Sequence, residues 1–205
     1  MLARIFAAAI AVVFLSAATV ADPMPSPLSA VVQIDANCTG FHIGGGRIVT
    51  AGHCIDKFSG YDVVTEDGVS RGAMLAMFSN PFWADDIAIL QIGDFENVAV
   101  LPLDCGEAPK AGTDVHMTGY PAVYGLSTVW GKVAGDPRDY SPIGGWRDAI
   151  PINISSYGGF SGSPVMTEDG DVVGVLVGSI RDAHTLAMAV PAYRLCEVIG
   201  AKWVP

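Results

Sequence analysis

From Val31 onward the sequence is a succession of short apolar runs cut by Gly- and Asp-rich turns, and this rhythm restricts the fold more than any other feature. Val31 to Asp35, Cys38 to Ile43, Arg47 to Thr50 and Ile87 to Ile92 read as strands, with Gly44-Gly45-Gly46 as a turn. Tyr61 to Thr65 and Val69 to Phe78 read as a hairpin around Glu66-Asp67-Gly68. Leu101 to Gly106, with Pro109, reads as a connection between two halves. A second set of strands follows at Asp114 to Thr118, Ser127 to Val133, Ala149 to Ile154, Val165-Met166, Val172 to Val177 and Leu186 to Val190. Ala192 to Gly200 reads as a short closing helix with Leu195, Val198 and Ile199 on one face. Many short strands and one helix make the chain all-β; periodicity alone leaves sandwich and barrel open.

The first residues carry a different signal. Met1-Leu2-Ala3-Arg4 is followed by an almost wholly apolar stretch, Ile5 to Val20, and Ala21 precedes Asp22-Pro23. A charged start, an apolar run and a small residue read as a secretory signal peptide over residues 1–21, cleaved after Ala21. A membrane anchor is the alternative, but the run falls short of the ~20 apolar residues of a typical span and a Pro-rich segment follows it. The expected destination is the periplasm or the medium. With 51% hydrophobic and 16% charged residues, the exported chain can bury a substantial core, as one domain or as two small barrels sharing an interface. The formal net charge of −10 argues against nucleic acid and anionic membrane surfaces as partners. Cys38, Cys54, Cys105 and Cys196, in an oxidising compartment, suggest two disulfides with three possible pairings. Zinc is the alternative, disfavoured because no Cys-x-x-Cys or paired-His spacing occurs. Glu168-Asp169-Gly170-Asp171 lacks the spacing of a calcium loop and reads as a hairpin turn, so neither a metal nor a cofactor is expected.

Chemistry concentrates at Ser156-Tyr157-Gly158-Gly159-Phe160-Ser161-Gly162-Ser163-Pro164-Val165. An attacking hydroxyl needs open space and backbone N–H groups aimed at the carbonyl oxygen it attacks, and glycines permit both. A Gly/Ser turn between strands is the plainer reading of this stretch alone. Upstream stand Thr50-Ala51-Gly52-His53-Cys54, after a strand-like run, and Asp85-Asp86-Ile87-Ala88-Ile89-Leu90. The order His, Asp, Ser is one of the recurring orders of the catalytic triad. On these three motifs the chain, from about Val31 to Tyr193, resembles the trypsin-like (chymotrypsin-fold) serine proteases, especially the short bacterial secreted ones.

That resemblance implies two six-stranded antiparallel β-barrels with the active site between them. Their expected extents are about 30–100 and 112–191, with a closing helix over about 192–200. It implies a secreted serine endopeptidase acting on protein or peptide substrates, by default a monomer. His53 would be the general base, with His42, His116 and His184 as rivals. Asp86 would orient its imidazole, in preference to Asp85. Ser161 would be the nucleophile, with Ser163 as its rival, and the N–H groups of Gly159 and Ser161 would form the oxyanion hole. The family places a disulfide beside the catalytic histidine, which implies Cys38–Cys54 and leaves Cys105 with Cys196. The specificity pocket would be lined by Ser155, Ser156 and the strand Leu176-Val177-Gly178-Ser179, with residues near Leu186 opposite. With no Asp at its base, such a pocket implies a small or medium apolar side chain rather than Lys or Arg. The Gly-Gly-x-Ser-Gly-Ser-Pro-Val stretch is similar to staphylococcal-type glutamyl endopeptidases, but Leu176 stands where those carry a His. Trypsin-like zymogens have Asp before the serine, to pair with a new N-terminal amine; Phe160 cannot, so no activation cut of that kind is expected. The alternatives are a catalytically silent protease-fold binding protein and a protease–chaperone of the HtrA type. The first usually lacks a triad residue. The second carries an added peptide-binding domain, for which a chain ending at Pro205 leaves no room.

Overall fold

Twelve strands and one α-helix organise the chain in a computed structural model, which describes residues 26–202 apart from 57–58, 79–85, 94, 96–97, 123, 141–144 and 181–182. The proposed signal peptide and Asp85 lie outside the described residues. The strands are β1 (Val31–Ile34), β2 (Cys38–His42), β3 (Arg47–Ala51), β4 (Ser59–Val64), β5 (Ser70–Phe78) and β6 (Ile87–Ile92), then β7 (Asp114–Gly119), β8 (Ser127–Val133), β9 (Ile150–Asn153), β10 (Pro164–Met166), β11 (Val172–Ile180) and β12 (Ala183–Pro191), before α1 (Ala192–Lys202).

The first six close into a barrel in the order β1-β2-β3-β6-β5-β4, and the last six close into another in the order β10-β11-β12-β9-β8-β7. All their ladders are antiparallel. Closure leaves neither sheet an unpaired edge, and it settles the sandwich-or-barrel question that periodicity left open. Three apolar clusters follow from this arrangement. Val32, Ile34, Ile48, Tyr61 and Leu90 fill the first barrel, and Val115, Met117, Ile152, Phe160 and Leu176 fill the second. A third cluster lies between them, where Val49, Ala51 and Ile89 meet Met166, Val175, Val190 and Leu195. The two barrels therefore share a continuous buried seam, and residues on its rim are held in fixed relative positions.

β11 and β12 run longer than the apolar runs suggest, because pairing continues past the apolar residues to Ile180↔Ala183. The helix packs Leu195, Val198 and Ile199 against the inter-barrel cluster. Two disulfides form, Cys38–Cys54 and Cys105–Cys196, with Cα–Cα distances of 6.2 and 5.8 Å. The first joins β2 to the turn after β3; the second ties α1 to the inter-barrel connection. With every cysteine paired, the zinc reading of these residues falls away.

Candidate active site

β3 ends at Ala51 and the chain turns through one 3-10 turn, Gly52–Cys54, which carries His53. Asp86 directly precedes β6, whose register places Ile87 opposite Ala51, so strand pairing alone brings Asp86 alongside His53. The contact is made three times over. The Gly52 N–H donates to the Asp86 carbonyl at 2.7 Å. The His53 N–H donates to Asp86 Oδ1 at 2.7 Å, and His53 Nδ1 lies 2.8 Å from Oδ2. A carboxylate only accepts, so the imidazole proton sits on Nδ1 and leaves Nε2 as an open base. Asp86 is 2% exposed and adopts φ 47°, a strained value for a residue with a side chain, held here by those three bonds. Trp146, from the segment before β9, adds its indole N–H to Asp86 Oδ2 at 3.4 Å.

Ser161 comes from the other barrel. Its carbonyl accepts the Thr39 N–H of β2 at 2.8 Å, and Cys54 Sγ lies 3.9 Å from the same oxygen. The nucleophile candidate is thus hydrogen-bonded to β2 of the first barrel, beside the Cys38–Cys54 bridge. Ser163 is fully buried, whereas Ser161 lines an open recess. Among the described residues neither the Gly159 nor the Ser161 N–H donates to a protein acceptor. Gly158's carbonyl is taken by the Ala122 N–H at 3.0 Å. A trans peptide points its C=O and N–H to opposite sides, so the Gly159 N–H faces away from Ala122. Gly159 has φ 99°, and a Cβ there would collide with the Tyr120 carbonyl and the Ala122 amide, so only glycine fits. The site thus holds an imidazole oriented by a buried carboxylate on one barrel and, on the other, a serine at an open recess beside two amides that no described acceptor takes, the groups that acyl transfer uses.

The rival histidines have structural roles or lie away from this pair. His42 is 3% exposed; its Nδ1 is 2.9 Å from the Ala99 carbonyl and its Nε2 accepts the Gly46 N–H at 3.3 Å. Burial, chiefly, holds its pKa below the usual histidine value, with the Arg47 cation adding to this against the Ala99 hydrogen bond. His116 stacks on Trp130 with ring centroids 4.5 Å apart, and burial likewise depresses its pKa. His184 belongs to β12, and its side chain lies outside the described residues.

The expected specificity pocket is only partly realised. A recess of about 270 Å³ is lined by Ser156, Tyr157, Gly158, Ser161, Gly178 and Ser179. Ser155 does not line it. Leu176 is fully buried in the second-barrel core and Val177 is 2% exposed in the inter-barrel seam, so neither supplies an apolar wall. Successive residues of β11 point to opposite faces, and both faces are covered here, one by the second-barrel core and the other by the inter-barrel seam. A register shift follows, where Leu176 pairs with Ala189 but Gly178 with Met188. Trp146 packs on this strand at Gly178, where a Cβ would stand 2.6 Å from Trp146 Cζ2. Phe160, for which the sequence offered no partner, is 1% exposed in the second-barrel core. Trp146 and Thr39 escaped sequence reading because each acts on residues at least sixty positions away, and neither stands in a motif.

The family of the trypsin-like peptidase domain matches residues 38–175. Over 169 residues (80% of this chain and 34% of that protein) the chain is 29% identical to the putative mitochondrial protease Do-like 12 of Arabidopsis thaliana. It is 28% identical over 165 residues (78% and 32%) to a probable periplasmic serine endoprotease, DegP-like, of Bartonella henselae. The chain thus spans about a third of the length of these curated relatives. Among solved structures, the inactive form of the Rv3671c protease superposes with a TM-score of 0.72 at 23% identity, covering 87% of this chain and 91% of that one. The serine endoprotease from Yersinia pestis superposes at 0.71 with 22% identity, covering 85% and 62%. At these identities the superpositions speak to the fold.

Proposed function

Because the chain belongs to the trypsin-like peptidase family, we propose that it is an exported serine endopeptidase whose nucleophile is Ser161. His53 Nε2 takes the Ser161 proton as Oγ bonds to the scissile carbonyl carbon. The carbonyl oxygen, now anionic, is held by the Gly159 and Ser161 N–H groups. The C–N bond then breaks, and the leaving amine receives the proton from His53. Water, deprotonated by the same imidazole, releases the acyl group and restores the serine. Asp86 keeps His53 in the required tautomer and orientation throughout.

The observation that carries this reading is the His53–Asp86 pair: an Nδ1···Oδ2 distance of 2.8 Å onto a carboxylate 2% exposed. A surface histidine has no need of so costly a partner. The recess beside Ser161 offers hydroxyls, backbone and the Tyr157 side chain, and among the described residues no carboxylate lines it. That composition suits a short side chain on the acyl side and disfavours a long cation. Export, with removal of residues 1–21, agrees with the paired cysteines.

The test is active-site labelling. A fluorophosphonate should modify Ser161 in the purified exported chain, located by mass spectrometry, and Ser161→Ala and His53→Ala should abolish it. A folded, oxidised chain that takes no label would instead be a catalytically silent binding protein.

A further inference from the structure

We propose that Thr39 is a positioning residue for the oxyanion hole, its buried hydroxyl fixing the peptide group that follows Gly159. This rests on the reading of Ser161 as nucleophile. Thr39 lies on β2 of the first barrel and is fully buried. Its Oγ1 donates to the Gly159 carbonyl at 2.8 Å and accepts the Tyr120 N–H at 2.8 Å. A threonine hydroxyl has one proton, so its donor role is spent on Gly159. The partners lie 120 and 81 positions away in sequence, both on the other barrel. Thr39 is itself immobile: its N–H holds the Ser161 carbonyl at 2.8 Å, and its carbonyl accepts the Thr50 hydroxyl at 2.7 Å.

The consequence falls on one amide. Gly159 sits between two peptide groups, and the first of them carries the N–H offered to the oxyanion. That first group is pinned through the Gly158 carbonyl by Ala122, and the Phe160 N–H of the second reaches the Tyr157 carbonyl at 3.2 Å. The Thr39 hydroxyl pins the other end of the second group, so neither can rotate about the glycine. Phe160 brings no charge with which to anchor this loop; its ring is spent in the second-barrel core. Without the Thr39 hydroxyl, the Gly159 carbonyl and the Tyr120 N–H would be left buried and unpaired. The loop would rearrange to satisfy them and carry the Gly159 N–H with it.

Thr39→Val, of nearly the same shape, removes the hydroxyl, while Thr39→Ser keeps it. With p-nitrophenyl acetate and a fluorophosphonate as probes, Thr39→Val should hydrolyse and label about 10- to 100-fold more slowly, the loss falling on kcat rather than KM. Thr39→Ser should stay within about threefold of the parent. Hydrogen exchange at the Tyr120 amide should accelerate in Thr39→Val, while the low-field NMR proton shared by His53 and Asp86 persists. General unfolding would erase that proton. Should Thr39→Val not fold, Thr39→Cys, with its poor S–H donor, should show the same slowed kcat. A hydroxyl-free variant reacting at the parent rate, or Thr39→Ser as slow as Thr39→Val, would overturn the inference alone. An unmodified Ser161 in the parent chain would overturn the nucleophile reading and this inference together.

Discussion

Asp86 makes two distinct demands on any replacement, because its two carboxylate oxygens serve different donors. Oδ1 takes the His53 backbone N–H and Oδ2 takes the ring Nδ1–H. Asn in its place can keep only one oxygen. If that oxygen remains on the backbone N–H, the amide NH₂ faces Nδ1 and forces the ring proton onto Nε2, where the serine proton must go. Asp86→Asn should therefore fold normally and label with a fluorophosphonate about 10⁴-fold more slowly, the scale of loss known for this exchange in a Ser-His-Asp triad. Labelling within tenfold of the parent would mean that the carboxylate does not set the tautomer. The candidates His53, Asp86 and Ser161 could be picked out of the sequence because each stands in a local motif whose neighbours are also constrained. The resemblance preferred Ser161 to Ser163, and the physical difference between them is burial, which depends on how β10 enters the barrel. Thr39 was unreadable: a threonine in a strand is ordinary, and what distinguishes it is a pair of partners supplied by the other barrel.

At the scale of elements, the two disulfides do different work. Cys105–Cys196 closes a span of 91 residues and Cys38–Cys54 one of 16. On loop-closure entropy the longer span restricts the unfolded chain more, by roughly 4.5 against roughly 3 kcal/mol. The shorter one adjoins His53 and touches the Ser161 carbonyl. Cys105→Ala/Cys196→Ala should thus lose more stability in urea, while Cys38→Ala/Cys54→Ala should lose more labelling rate under conditions where both are folded. Equal losses of rate would detach the short bridge from the site. Most strands were legible because short apolar runs bounded by glycine and aspartate have few other uses. The pocket wall was not, since both faces of β11 are buried, Leu176 in the second-barrel core and Val177 in the inter-barrel seam, and an unbroken apolar run does not say which face meets a recess. β11 and β12 were read short because backbone pairing, rather than apolarity, carries the end of β11 and the start of β12.

For the molecule as a whole, acid brings two opposing effects. The chain has a formal net charge of −10 and a pI near 4.6, so lowering the pH relieves self-repulsion and favours the compact state. Against this stand His42 and His116, both with pKa values pushed below the ordinary 6.5 chiefly by burial. Between the folded and ordinary values the unfolded chain binds protons that the folded chain refuses, so stability rises with pH there. Each histidine's contribution is therefore complete above about 6.5 and drains away as the pH falls below it. A melting curve of the parent alone mixes both effects. Comparing it with His42→Gln separates them, because the surface charge is common to both. His42→Gln loses the ring's contacts with Ala99 and Gly46, so it should be less stable at pH 7.5. The deficit should then shrink as the pH is lowered to 5.5, since only the parent pays to keep a neutral imidazole. Thermal melts at half-unit steps read this directly, and a deficit that stays constant or widens toward acid would show that His42 is not held neutral by the fold.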